Sequence, residues 1–103
     1  MPSQETRTRA ELTRARQVSR REKALTALAR AREQDDGTES WKKVIRFGED
    51  FVAKSTHHIA ELDILLTGFS GEVLSNQDGL VYTCHECGGI QRVPVLTPPE
   101  QCC

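Results

Sequence analysis

The sequence predicts an α+β fold that is mostly α: a two-helix antiparallel hairpin, or coiled coil, followed by a small zinc-ribbon-like β-hairpin. Three observations predict it. Residues 1–34 are rich in helix formers, residues 41–69 carry a heptad pattern of apolar residues, and a Cys-x-x-Cys-Gly motif begins at Cys84. We therefore expect a basic helical hairpin over residues 1–71 and a zinc-ribbon-like β-hairpin with a tail over residues 72–103.

Length and composition limit the chain to one small domain. Its 103 residues include only one Trp, one Tyr and three Phe, so the core is modest and a metal, a partner or self-association would add stability. We see no apolar run typical of a secretory signal and none of the length that a membrane span needs. We expect a cytoplasmic protein, in which cysteines are metal ligands or thiols rather than disulfides.

The first helix is predicted to be a mostly charged rod. Thr8, with Glu11 three residues later, has the form of a capping box and predicts that the regular helix begins near Thr8. Its apolar residues form a narrow stripe, so the helix needs another element to pack against. The residues of this stripe are Leu12, Ala15, Val18, Leu25 and Leu28.

The second helix has the clearest pattern of the chain. Its stripe steps alternately by four and three residues: Trp41, Ile45, Gly48, Val52, Ser55, Ile59, Leu62, Leu66 and Phe69. Gly48 and Ser55 are small and would let a partner helix approach closely. The Asp-Gly turn before Thr38, a residue type that caps helices, predicts that the first helix folds back on the second. A dimeric bundle is the alternative, because three residues widen the stripe: Val44, Phe51 and Leu65.

Beyond Gly68 the pattern changes to short strands. Residues 73–74, 80–82 and 90–96 are predicted strands, and the tetrapeptide Cys84-His85-Glu86-Cys87 lies at the tip of the hairpin formed by the last two. A redox dithiol normally lies at a helix N-terminus, which disfavours that interpretation of the motif.

Two thiolates separated by two residues, followed by glycines, are typical of a zinc knuckle. A structural zinc site needs four ligands, and we predict one structural Zn²⁺ held by Cys84, Cys87, Cys102 and Cys103. Three histidines stay open as replacements for a C-terminal thiol: His57, His58 and His85. Four thiolates leave no position for water, and no other motif resembles an active site, so we expect that the protein is not an enzyme.

Charge is distributed unevenly along the chain. Residues 1–34 hold nine basic against four acidic side chains, and the remainder holds five basic against eleven acidic. Arginine binds phosphates in a fork, so six arginines are candidates for a nucleic-acid-binding face: Arg7, Arg9, Arg14, Arg16, Arg20 and Arg21. The alternative is a solvated helix whose arginines pair with acids of the same helix at Glu5, Glu11 and Glu22.

An acidic turn between two helices occurs here together with a Cys-x-x-Cys-Gly knuckle. The residues concerned are Asp35, Asp36, Tyr82, Cys84, Cys87 and Gly88. This combination resembles the DnaK-suppressor (DksA/TraR) family of zinc-finger regulators. The resemblance implies binding to RNA polymerase through its secondary channel, with Asp35 and Asp36 as the acids at the hairpin tip and Cys84 and Cys87 as the first ligand pair. The family's second Cys-x-x-Cys pair is absent, and its tip pattern of two Asp separated by two residues and followed by Ala is absent as well.

We predict a small non-enzymatic, zinc-binding regulator of transcription or of another nucleic-acid machine. Its expected partners are nucleic acid or a nucleic-acid-processing complex such as RNA polymerase, with a homodimer compatible and no membrane contact. The alternative is a protein-interaction or inhibitor module, of the kind that phages and mobile elements encode, which binds a host protein through the long helix.

Overall fold

The computed structural model describes residues 3–76 and 78–100. Helices α1 (Gln4–Gln34) and α2 (Glu39–Thr67) pack as a hairpin, and strands β1 (Gly71–Asn76), β2 (Gly79–Cys84) and β3 (Ile90–Val93) follow. The strands form one antiparallel sheet in the order β1-β2-β3. The prediction of an α+β fold that is mostly α is confirmed at this level. In the described part of the chain, neither helix combines the length and apolarity that crossing a membrane requires.

Helix α1 begins earlier than the sequence predicted. It starts at Gln4, where the Ser3 hydroxyl accepts a hydrogen bond from the backbone N–H of Thr6 at 3.2 Å. Thr8 lies within the helix, and its hydroxyl donates to the Gln4 carbonyl at 2.9 Å. The predicted start near Thr8 is therefore wrong, because Ser3 already provides the cap.

Helix α2 begins and ends at the predicted places. Thr38 is its N-cap residue by backbone conformation, although its side chain makes no capping hydrogen bond. At the other end Gly68 adopts φ 74°, and its N–H donates to the Ile64 carbonyl at 3.1 Å. A left-handed glycine of this kind is a common helix stop, because other residues pay a steric penalty there.

The two helices approach closely at the small residues of the α2 stripe. A Cβ atom on Gly48 would lie 3.0 Å from Cδ1 of Leu28, which is tighter than ordinary van der Waals contact. Ser55 and Ile59 of the same helix are both buried. The prediction that a partner helix approaches α2 closely at Gly48 is therefore confirmed.

The sheet is held against α2 by a small apolar core. Six buried residues make up this core, with Ile64 and Val93 packed against it. The ring of Phe69 meets that of Tyr82 edge-on, with centroids 5.9 Å apart. Gly71 is required at the start of β1, since a Cβ atom there would lie 2.1 Å from the Thr83 carbonyl oxygen. The six core residues are Ala60, Phe69, Val73, Leu80, Tyr82 and Cys84.

Strand β3 is shorter than predicted. It ends at Val93, because Pro94 has no N–H to donate to a neighbouring strand. A turn follows, in which the Thr97 N–H donates to the Pro94 carbonyl at 3.2 Å. The predicted strand over residues 90–96 is therefore correct only in its first part, and the chain after the turn runs back beside β3.

Candidate functional site

The Cys-x-x-Cys motif forms the loop between β2 and β3, as predicted. Cys84 is the last residue of β2 and is buried, whereas Cys87 is exposed in the loop. Two backbone hydrogen bonds close the loop: the Cys84 N–H donates to the Gly89 carbonyl at 2.9 Å, and the Gly88 N–H donates to the Cys84 carbonyl at 3.0 Å. The loop is thus a compact knuckle, defined here as residues 84–89.

Backbone groups of the knuckle turn toward sulfur. The Gly89 N–H donates to Sγ of Cys87 at 3.4 Å, and Gly88 has φ 70°. A Cβ atom on Gly89 would lie 3.2 Å from the same sulfur, so a glycine at this position permits the approach. Cysteine sulfur is a ligand that Zn²⁺ prefers in structural sites. The donor set of the knuckle therefore fits a thiophilic ion such as Zn²⁺.

The remaining predicted ligands are separate from this pair or undescribed. Cys102 and Cys103 lie outside the described residues. His57 pairs with Glu61 on α2 at 2.8 Å, and His85 lies 3.6 Å from Glu72. Across residues 3–76 and 78–100, no group of three or more Cys, His, Asp or Glu side chains is placed to hold a metal ion.

The segment after the Pro94 turn returns toward the knuckle. The Tyr82 hydroxyl donates to the Thr97 carbonyl at 3.3 Å. Gln91 then binds the backbone of Glu100 twice, accepting from its N–H at 2.9 Å and donating to its carbonyl at 2.5 Å. Because Gln91 is the second residue of β3, these bonds hold Glu100 at the knuckle end of the sheet.

The predicted tip acids form the turn between the helices. Asp35 accepts a hydrogen bond from the Gly37 N–H at 2.9 Å, and Asp36 accepts one from the Thr38 N–H at 3.1 Å. Both side chains are exposed. Hydrogen bonds from the Thr38 side chain and backbone lower the pKa of Asp36, so its carboxylate stays ionised at neutral pH. The turn therefore presents fixed negative charge at the far end of the hairpin.

The six predicted nucleic-acid-binding arginines do not share one environment. Arg14 donates to Asp63 at 2.6 Å and to the Leu96 carbonyl at 3.4 Å, and Arg21 donates to the Thr56 hydroxyl at 2.7 Å. These two side chains therefore bind α2. Arg7 and Arg9 pair with acids of α1, namely Glu11 at 3.6 Å and Glu5 at 3.8 Å.

The other two arginines, Arg16 and Arg20, are exposed and form no ion pair with another described residue. The roles of Arg14 and Arg21 in joining the helices were missed from the sequence. Their spacing of seven residues, repeated at Leu28, is the signal that places all three on the face that meets α2.

Comparison with protein-family models, with curated proteins and with solved structures finds no match to this chain. The resemblance to the DksA/TraR family therefore stays a prediction from the residues of the turn and the knuckle. What the site can do follows from its own geometry: fixed carboxylates at one end of a helical rod and a sulfur-bearing knuckle at the other.

Tyr82 joins the core of the sheet to the segment that follows Pro94. Because its side chain is buried, we expect the protein to lose stability at high pH. Burial raises the pKa of Tyr82 to about 12, and the nearby charge of Asp63 adds to this. The unfolded chain loses the phenol proton near pH 10, whereas the folded chain retains it until about pH 12. The contribution of the protonated Tyr82 to the free energy of unfolding is therefore fully present below pH 10. It is lost as the pH rises to 12, which lowers the free energy of unfolding by up to about 2–3 kcal/mol.

Urea unfolding at a series of pH values measures this loss. The Tyr82→Phe variant lacks the titrating group, so the difference in unfolding free energy between wild type and variant should shrink as the pH rises from 10 to 12. Parallel pH profiles of the two proteins would contradict the assignment.

Proposed function

We propose that this protein is a small non-enzymatic regulator that binds a nucleic-acid-processing protein complex, such as RNA polymerase, through the tip of its helical hairpin. The observation that carries the proposal is the exposed pair Asp35-Asp36 at the turn. The helices have 31 and 29 residues, and at about 1.5 Å per residue each is about 45 Å long. A rod of this length can reach into a channel or cleft while the sheet stays outside.

The turn suits recognition because its charges are held in place. Each of the two carboxylates caps a backbone N–H two residues ahead, so the loop is ordered before it meets a partner. Prior ordering reduces the entropy that binding costs. A basic surface on the partner, such as one that holds nucleic acid or nucleotide phosphates, is complementary to this turn.

The double variant Asp35→Asn, Asp36→Asn tests the role of the tip. Asparagine keeps a side-chain oxygen that accepts the Gly37 and Thr38 N–H groups, so the turn persists while two negative charges are removed. We expect affinity for purified RNA polymerase to fall by about tenfold or more, with the melting temperature nearly unchanged. Titration against immobilised polymerase and transcription in vitro measure the effect.

A matched control makes the same charge change elsewhere. Glu5→Gln, Glu11→Gln also removes two exposed negative charges, from the other end of α1. We expect this variant to bind as the wild type does. Equal binding by wild type and both double variants, or absence of binding by wild type, would contradict the proposed function.

We infer in addition that the knuckle holds one structural Zn²⁺ through Cys84, Cys87, Cys102 and Cys103. Two observations support this: the Gly89 N–H directed at the Cys87 sulfur, and the anchoring of Glu100 on Gln91 at the knuckle end of the sheet. Cys102 and Cys103 follow Glu100 within three positions, a length of chain that spans about 10 Å at most. The ion would connect the end of the chain to the knuckle and stiffen the base of the rod.

For nucleic-acid contact by α1, we propose fewer arginines than the six predicted from the sequence. Arg14 and Arg21 bind α2, so Arg16 and Arg20, together with the exposed Arg7 and Arg9, are the side chains left for phosphates. Each phosphate contact contributes about −0.9 to the slope of log affinity against log salt on duplex DNA. Four contacts would give a slope of about −3.6, which salt titration of binding to mixed-sequence DNA measures.

A second candidate function, a protein-interaction module acting through the long helix, is favoured by one specific observation. Phe47 of α2 is 74% exposed, and Val44 beside it is 51% exposed. Large apolar side chains are rarely left this open in a contiguous patch without a binding role.

A further inference from the structure

An apolar groove runs between the two helices in the half of the hairpin nearest the tip. Its volume is about 300 Å³. Helix α1 contributes three alanines and Leu28 to one wall, and α2 contributes Val44, Phe47, Gly48 and Phe51 to the other. The three alanines are Ala24, Ala27 and Ala31. The wall from α1 is therefore low and the wall from α2 is high, with Phe47 standing out into solvent.

Charged side chains lie beyond both ends of the groove. Arg20 precedes Ala24 by four residues and Ala27 by seven, and Arg16 precedes Arg20 by four, so both arginines lie on the stripe of α1 that forms the groove. Neither makes an ion pair with a residue of the described chain. At the opposite end of the same groove lie the tip acids Asp35 and Asp36. Along α1 and the turn, the groove is thus bordered by two arginines toward the sheet and by two carboxylates at the tip.

We propose that a second copy of this chain covers the groove, with the two hairpins antiparallel and related by a two-fold axis near Ala27. Along α1, Arg20 lies seven residues before Ala27 and Asp35 lies eight residues after it, or about 10 and 12 Å. A two-fold axis at Ala27 therefore brings Arg16 and Arg20 of each copy to the Asp35-Asp36 turn of the other. The alanines let the two α1 helices approach closely, and Phe47 of each copy is buried at the centre.

Charge selects this arrangement over the parallel one. In a parallel pair the two turns would lie together, and Asp35 and Asp36 would face their own equivalents. Like charges held close together oppose association, whereas the antiparallel pair satisfies four cations and four anions at once. A two-fold interface is formed by the same surface patch of both subunits, so the single groove of each copy is covered by the groove of the other.

Sedimentation velocity over a concentration series tests the dimer on the full-length protein. We expect a monomer–dimer equilibrium, weakened about tenfold or more by Phe47→Gln, because an aromatic side chain at the centre of an interface contributes most to its affinity. Phe47 is already exposed, so the variant should fold as the wild type does, which circular dichroism verifies. Leu74→Gln is the matched control: Leu74 is 66% exposed on β1, away from the groove, and its loss should leave the dimer unchanged.

A double-mutant cycle tests the antiparallel arrangement. Its corners are the wild type, Arg16→Gln with Arg20→Gln, Asp35→Asn with Asp36→Asn, and the combination of all four changes. Pairing between copies predicts that each double variant weakens the dimer about threefold or more and that the combination is little weaker than either. A monomer at every concentration, a dimer indifferent to Phe47→Gln, or strictly additive effects in the cycle would each overturn the proposal. None of these measurements involves a partner protein, so they are independent of the function proposed above.

Discussion

Removing the proposed Zn²⁺ with a chelator is expected to unfold the three-stranded sheet and release the segment after Pro94, while most helical content is retained. The sheet has strands of six, six and four residues and a core of six buried side chains, which is little apolar surface to hold a fold. Sites of this type in zinc-finger peptides contribute about 10–16 kcal/mol of apparent binding free energy, which in such cases is folding free energy. The helices bury a separate surface against each other.

Tyr82 provides the reporter for this experiment. It is the single tyrosine of the chain and lies in the core of the sheet, so its near-ultraviolet circular dichroism should vanish on chelation and return when Zn²⁺ is added. Elemental analysis of the reduced protein should find about one zinc per chain. Cys84→Ser and Cys87→Ser should each lose the ion, whereas His85→Asn, a change inside the same knuckle, should retain it. A reduced protein without transition metal and with an ordered sheet would exclude the metal site.

Replacing Arg14 by alanine is expected to destabilise the protein by about 2–4 kcal/mol. The Asp63 side chain is only 5% exposed and accepts from Nε of Arg14 at 2.6 Å and from Nη2 at 3.4 Å. Without the guanidinium, a carboxylate stays buried with no cation beside it, and this is more costly than the loss of the pair itself. A larger loss, of about 5 kcal/mol, is not expected, because 30% of the Arg14 side chain is exposed to water.

Replacing Arg14 by alanine in an Asp63→Asn background separates the cost of a buried, unpaired carboxylate from the loss of the other Arg14 contacts. Asparagine is neutral and close in shape, so removing Arg14 from that variant should cost about 1 kcal/mol or less. The coupling from the double-mutant cycle should then be about 1–3 kcal/mol by urea unfolding. Arg30→Ala serves as control, since this arginine of the same helix is exposed and should change stability by no more than about 0.5 kcal/mol. Equal losses for Arg14→Ala and Arg30→Ala would show that the buried pair contributes nothing.

The helices and the knuckle could be predicted because their signals are local. The α2 stripe, the Gly68 stop and the Cys-x-x-Cys-Gly loop each depend on residues close together in sequence. The structure places them as expected, except that Phe69, the last residue of the predicted stripe, lies beyond α2 in the core of the sheet. The start of α1 could not be fixed in this way, since Ser3 and Thr8 are both good caps and the sequence offers no rule for choosing between them. β1 extends to six residues because it pairs with β2 from Gly71 to Asn76, and strand pairing is a tertiary property.

The composition of the chain could not predict which arginines contact α2. A run of basic residues shows that a surface is positive, but it does not show which side chains meet another helix. Arg14 and Arg21 recur at the heptad spacing of Leu28, and their acceptors Asp63 and Thr56 are likewise seven residues apart on α2. These two pairs of residues could be matched only once both helices had been placed side by side.

The two proposals made above use the same turn at the end of the hairpin. A chain whose Asp35 and Asp36 lie against a second copy would not offer them to another protein, so the proposed self-association and the proposed recruitment would compete by mass action. Raising the amount of protein would then increase the number of available turns less than proportionally. Its effect on a target should level off as expression rises, and Phe47→Gln should restore a linear dose response.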